Sequence, residues 1–133
     1  MPKVLVVDDN ELARDTIAAM LVRAGYGVWT AKNGRDALSQ AAQIDFDAIV
    51  TDLLMPDMDG IEIILAARNQ LPRTPLVAIS GAGQCGSSDL LDMARRLGAV
   101  ETLRKPFAAS ELEAAVRSAL LRGSSAAGSH VRN

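Results

Sequence analysis

The chain has 133 residues, one cysteine and a net charge of −2. That length suits a single domain, able to bury about two thirds of the surface its unfolded form exposes, so neither a disulfide nor a structural metal is needed. A lone cysteine, Cys85, excludes a disulfide framework and points to a reducing compartment. The charge gives no electrostatic case for nucleic acid or an anionic membrane. No apolar run approaches the roughly 18 residues that a membrane span needs, and the N-terminus reaches Asp8-Asp9 too soon for a signal peptide. The expectation is a soluble cytoplasmic protein.

Short apolar runs alternate with helical patterns along the chain. Val4 to Val7 is continuous, as a strand buried on both faces should be. Glu11 to Ala24 follows, with apolar residues at Leu12, Ile17, Met20 and Leu21 at roughly helical spacing. Gly25 and Gly27 end it, and Val28-Trp29-Thr30 is a short second strand. Asn33-Gly34 reads as a turn and Arg35 to Gln43 as a second helix. Asp47 to Thr51 is a third strand that delivers Asp52. Gly60 to Asn69 is a third helix, stopped near Pro72. Leu76 to Ile79 is a fourth strand closed by Ser80. Gly81 to Ser88 is a glycine- and serine-rich loop, and about Asp89 to Leu97 a fourth helix ended by Gly98. The fifth strand, Val100 to Leu103, precedes Lys105-Pro106. Ser110 with Glu113 fits a capping box opening a last helix through Leu121. Residues 122–133, rich in Ser, Gly and Ala, read as a flexible tail, so the domain is expected over residues 1–121.

This alternation predicts an α/β fold, (βα)5, with a doubly wound parallel sheet. Right-handed crossovers favour the flavodoxin-like strand order 2-1-3-4-5. Strands 1 and 3 then flank the switch point and carry Asp8-Asp9 and Asp52. The ends of strands 4 and 5 bring Ser80 and Lys105 to the same crevice. Taken singly, each is an ordinary strand-end or turn residue. Together, three carboxylates repel one another by about 4 kcal/mol per pair at 4 Å and an effective dielectric near 20, so they call for a cation. Magnesium, a hard ion with oxygen ligands that often uses carboxylates plus a phosphate, suits the set. With charge neutralised, Asp52 could attack phosphorus to form an aspartyl-phosphate, and Ser80 could donate to a phosphoryl oxygen.

These residues resemble the receiver domain of bacterial two-component response regulators. The resemblance covers about residues 3 to 121. Asp52 through Gly60 matches the phosphorylation segment, Val6-Val7-Asp8-Asp9-Asn10 the acidic pair, Ser80-Gly81 the hydroxyl position and Lys105-Pro106-Phe107 the lysine. The resemblance implies that Asp52 accepts a phosphoryl group from a histidine kinase or a histidine phosphotransfer protein. It implies that Asp9, Asp52 and the Leu54 carbonyl bind Mg2+ directly, with Asp8 acting mainly through water. It also implies a cis Lys105–Pro106 bond, phosphoryl sensing by Ser80 and Lys105, and a downstream protein on the helix 4–strand 5–helix 5 face.

One position departs from the family pattern: Thr102 stands where an aromatic switch residue is common. The Gly81–Ser88 loop then becomes the expected order–disorder element of the switch. Two rival functions compete for parts of the same sequence. Gly81-Ala82-Gly83-Gln84-Cys85-Gly86 fits G-x-G-x-x-G and would suit a nucleotide, but it follows the fourth strand and leaves the acid set unexplained. An aspartate-nucleophile phosphohydrolase would want an acid where Leu54 stands. The expected role is therefore a phosphoacceptor signalling module, not an enzyme. It is either a regulator acting by itself, a relay intermediate, or a receiver excised from a hybrid kinase or multidomain regulator.

Overall fold

The computed structural model describes residues 1–53, 60–81 and 87–131. The strands are β1 (Lys3–Val7), β2 (Gly27–Ala31), β3 (Ala48–Asp52), β4 (Leu76–Ser80) and β5 (Glu101–Arg104). They alternate with helices α1 (Glu11–Arg23), α2 (Gly34–Ala41), α3 (Gly60–Gln70), α4 (Ser87–Leu97) and α5 (Ala109–Val131). All four strand pairings are parallel, and the order is β2-β1-β3-β4-β5. The (βα)5 doubly wound architecture and its flavodoxin-like order are those expected from the alternation of patterns.

The sheet is covered on both faces, and strand parity assigns each side chain to one face. Val4, Val6, Ala48, Val50, Val77 and Ile79 pack with Ile17 and Leu21 of α1 and with Leu112, Val116 and Ala119 of α5. Leu5, Val7, Ile49, Leu76 and Ala78 pack on the opposite side with Ala37, Ile63, Ile64, Leu91 and Ala94 from α2, α3 and α4. Trp29 closes the β2 edge of that second core against Phe46, ring centroids 5.7 Å apart in an edge-on arrangement.

Several local expectations are corrected. Leu12 is 78% exposed, and the buried residues of α1 are Ile17 and Leu21. The inward stripe is thus narrower than the apolar pattern, and Leu12 in the first turn lies off it. Asn33 does not sit in a free turn; its Oδ1 accepts from Asp36 N–H at 2.8 Å and caps α2. The capping glutamate of α5 is Glu111, whose Oε1 accepts from Ala108 N–H at 2.8 Å, so Ser110 lies within the first turn. Glu113 instead accepts from the Tyr26 hydroxyl at 3.2 Å and from Arg117 at 2.7 Å. The helix expected to end at Leu121 continues to Val131. Arg122, one residue past that expected end, donates to Val100 O at 2.6 Å and pairs with Glu101 at 3.1 Å, which anchors the helix to the fifth strand there.

Glycine has a conformational reason at Gly98, which ends α4 with φ +133°; a Cβ there would also lie 2.9 Å from Arg68 Cδ. Gly25 plays the same terminating part after α1 with φ +100°.

The Tyr26–Glu113 contact ties the α1–β2 turn to α5 and has a consequence in pH. Burial first, then the hydrogen bond to Glu113 and that residue's charge, raise the Tyr26 pKa, while Arg117 acts the other way. A folded value above the ordinary one of about 10 means that the protonated phenol stabilises the fold fully below that pH. This contribution is lost as pH rises through the folded value. Tyr26 is the chain's one tyrosine. Its phenolate absorbance should therefore titrate above the free-tyrosine midpoint, and Glu113→Gln should bring the midpoint down; an ordinary midpoint in the parent would contradict the contact.

Candidate functional site

The site forms where the sheet's ladders run past their strands. Asp8 N–H donates to Ala31 O at 3.2 Å, Leu53 N–H to Ile79 O at 2.9 Å and Lys105 N–H to Ser80 O at 2.8 Å. Each bond fixes backbone next to a candidate side chain. The Lys105–Pro106 peptide that follows is cis. Strand adjacency then brings the acids together: one carboxylate oxygen from each of Asp8, Asp9 and Asp52 lies within 4.8 Å of the other two.

Their surroundings differ. Asp8 is 1% exposed, Asp9 is exposed and Asp52 is half-buried. A buried carboxylate needs partners, and Asp8 has them. Its Oδ1 accepts from Asn10 N–H at 2.9 Å, and its Oδ2 accepts from Lys105 Nζ at 3.5 Å. Its carbonyl accepts from Arg14 Nη1 at 3.1 Å. Asn10 in turn caps α1, its Oδ1 accepting from Ala13 N–H at 2.9 Å. The acidic turn and the first turn of α1 are thus one hydrogen-bonded unit.

The donor set is all carboxylate oxygen, which suits a hard divalent cation. Two oxygens bound to one magnesium at about 2.1 Å stand at most about 4.2 Å apart, so a spacing within 4.8 Å needs little closure. Lys105 reaches the cluster through Asp8, a pairing that charge alone did not single out from the sequence.

Ser80 is 0% exposed, and its Oγ has no hydrogen-bond partner among the described residues. Thr102 lies on β5 opposite Ala78 of β4. Its Oγ1 accepts from the Arg95 guanidinium of α4, from Nε at 3.2 Å and Nη2 at 2.9 Å. Leu54, Asp57, Asp59 and residues 82–86 of the G-x-G-x-x-G run lie outside the described residues, as does most of the loop expected to switch.

Sequence reasoning missed Arg14 and Arg95. Arg14 carried a signal: a cation in the first turn of a helix opposes the helix dipole and wants a local reason. Arg95 carried none, because an arginine near a helix C-terminus is ordinary.

Comparison with known proteins identifies the family. The response regulator receiver domain model matches residues 4–117. The chain belongs to that family. It is 32% identical over 124 residues to the transcriptional regulatory protein FixJ of Bradyrhizobium diazoefficiens, covering 93% of this chain and 59% of that protein. It is 39% identical over 105 residues to a protein-glutamate methylesterase/protein-glutamine glutaminase of Archaeoglobus fulgidus, covering 78% of this chain and 30% of that one. The chain therefore spans less than two thirds of the length of these relatives. Among solved structures, a response regulator receiver domain protein of Clostridium thermocellum superposes with a TM-score of 0.85 at 29% identity, over 92% of this chain and 96% of that one. Receiver domains are mostly non-enzymatic signalling modules that bind Mg2+ at an acidic pocket, and response regulators receive phosphate from histidine kinases. No helix among the described residues is long and apolar enough to cross a membrane.

The Ser80 hydroxyl, unpartnered among the described residues, makes a stability test of the resting receiver domain possible. A buried unsatisfied hydroxyl costs about 1–3 kcal/mol. Ser80→Ala should therefore leave the urea midpoint of the unphosphorylated domain unchanged or raised, at constant slope. A midpoint lowered by the equivalent of more than about 1 kcal/mol would show that the hydroxyl is satisfied.

Proposed function

We propose that this receiver domain accepts a phosphoryl group on Asp52 and passes the resulting change to a partner protein. The observation that carries the reading is the convergence of Asp8, Asp9 and Asp52 beside Lys105. An Asp52 carboxylate oxygen forms the new bond to phosphorus as the bond to the donor's leaving group breaks, and the leaving group takes the electron pair. Asp9, Asp52 and the Leu54 carbonyl would hold Mg2+, with Asp8 supporting them; the ion supplies charge neutralisation for the incoming phosphoryl group. Lys105 brings positive charge from the fifth strand and is already held at the cluster by Asp8. Ser80 offers a buried hydroxyl ready to donate to a phosphoryl oxygen.

The donor is a histidine kinase or a histidine phosphotransfer protein, and the chain itself turns over no separate substrate. The downstream partner binds the α4–β5–α5 face, where Thr102 takes the place of an aromatic switch. We place the receiver at residues 1–121 and read 122–133 as a tail or linker, in a cytoplasmic protein. A receiver belonging to a longer regulator is the second reading; it is favoured by the chain's 59% and 30% shares of FixJ and of the methylesterase.

Acetyl phosphate with magnesium should add one phosphoryl group to the parent, removable by hydroxylamine and read by intact mass. Asp52→Asn should take up none; full labelling of that variant would refute the assignment. Magnesium alone should raise the parent's melting temperature, since a ligand of the folded state at a hundred times its Kd contributes about 2.7 kcal/mol. No shift at millimolar metal would count against the cluster.

A further inference from the structure

We infer that Arg14 is a positioning residue for the acid cluster, acting on Asp9 through the peptide that joins it to Asp8. The inference rests on the reading of the cluster as the magnesium and phosphoryl site. Its starting point is the difference between the neighbouring acids. Asp8 is buried and its carboxylate is held on both oxygens, by Asn10 N–H and by Lys105. Asp9 is exposed, and among the described residues no hydrogen bond holds its carboxylate. β1 ends at Val7, so the ladder that orders the strand does not extend to Asp9. Something else must fix where Asp9 points.

The Asp8 carbonyl belongs to the Asp8–Asp9 peptide. That unit is planar, so a bond to its oxygen fixes the plane from which Asp9 departs. Arg14 Nη1 makes that bond at 3.1 Å. The arginine is itself well placed: its own N–H donates to Asn10 O at 2.9 Å in the first turn of α1, which Asn10 caps. A guanidinium there opposes the helix dipole, which disfavours cations at the N-terminus. A neighbouring acid cluster offsets that cost. Arg14 is half-buried and donates to the backbone rather than spreading into solvent. Planar, multiply donating arginine suits such a fixed contact better than lysine.

The test is a magnesium titration followed by amide chemical shifts, on the parent, Arg14→Met, Arg14→Lys and Asp9→Asn, with the double variant Arg14→Met/Asp9→Asn. Groups that orient metal ligands typically cost about tenfold to a hundredfold in metal affinity when removed. Arg14→Met should weaken magnesium by about tenfold or more. Arg14→Lys, which keeps a donor, should lie between it and the parent. In the Asp9→Asn background Arg14→Met should change the Kd by less than about twofold, the usual limit of additivity for independent sites. Urea midpoints without metal separate lost aim from lost fold, and Arg14→Lys carries the comparison if Arg14→Met does not fold. A parent that binds no magnesium would overturn the site reading itself. A parent that binds while Arg14→Met binds equally well would overturn the role of Arg14 alone. An undiminished loss in the Asp9→Asn background would also overturn it, by showing that Arg14 does not act through Asp9.

Discussion

Mutual repulsion among Asp8, Asp9 and Asp52 is the constraint around which this end of the sheet is built. Two bare carboxylates at such a spacing repel by about 3–4 kcal/mol at an effective dielectric near 20, and water around an exposed member screens the repulsion. The fold tolerates it by distributing the charges unevenly. Asp8 goes inside and takes the lysine; Asp9 stays in water; Asp52 sits between. Removing Lys105 would leave the buried Asp8 carboxylate without its opposite charge, a more damaging change than removing an exposed ion pair.

Because the cluster is costly, its scaffold is over-determined. The three strand ends that supply Asp8, Asp52 and Lys105 are each prolonged by one backbone hydrogen bond, to Ala31, Ile79 and Ser80 respectively. The acidic turn is closed by Asp8 on Asn10 and by Asn10 on α1. Both helical layers press on the sheet from fully buried aliphatic side chains, so the strand ends cannot drift apart without opening a core. Rigid packing behind and open charge in front are what a phosphoacceptor needs: positions set before the ligand arrives.

Much of this was legible in the residues. Near-continuous apolar runs of strand length, separated by helical spacing, admit few topologies, and the strand order follows from handedness. Once β1 and β3 are neighbours, Asp8, Asp9 and Asp52 must meet. What was not legible depended on choices between equivalent partners. Lys105 could have paired with any of three acids; burial of Asp8 decides it. Either Glu111 or Glu113 could have closed the α5 cap, and the phase of the helix against Tyr26 assigns Glu113 elsewhere. Leu12 belongs to an apolar pattern yet faces out, because a helix buries a stripe set by its packing angle rather than every apolar residue it carries. The extension of α5 was hidden by composition: Gly123 and Gly128 each cost about 1 kcal/mol in a helix interior.

β5 carries Thr102 and is held differently to its two flanking helices. Adjacent residues of this edge strand are tied to helices on opposite faces of the sheet. Glu101 accepts from Ser118 at 2.7 Å and pairs with Arg122 on α5, while Thr102 accepts twice from Arg95 on α4. A buried ring would resist movement through packing, which is lost only when a cavity opens. An exposed arginine–hydroxyl contact is worth about 1 kcal/mol and re-forms with water when it breaks. The Arg95–Thr102 contact is exposed and breaks at small cost, while α5 is held to Glu101 by two contacts. α4 itself stays on the sheet through the buried Leu91 and Ala94, so the easily broken link at this edge is the Arg95–Thr102 contact and not the helix packing.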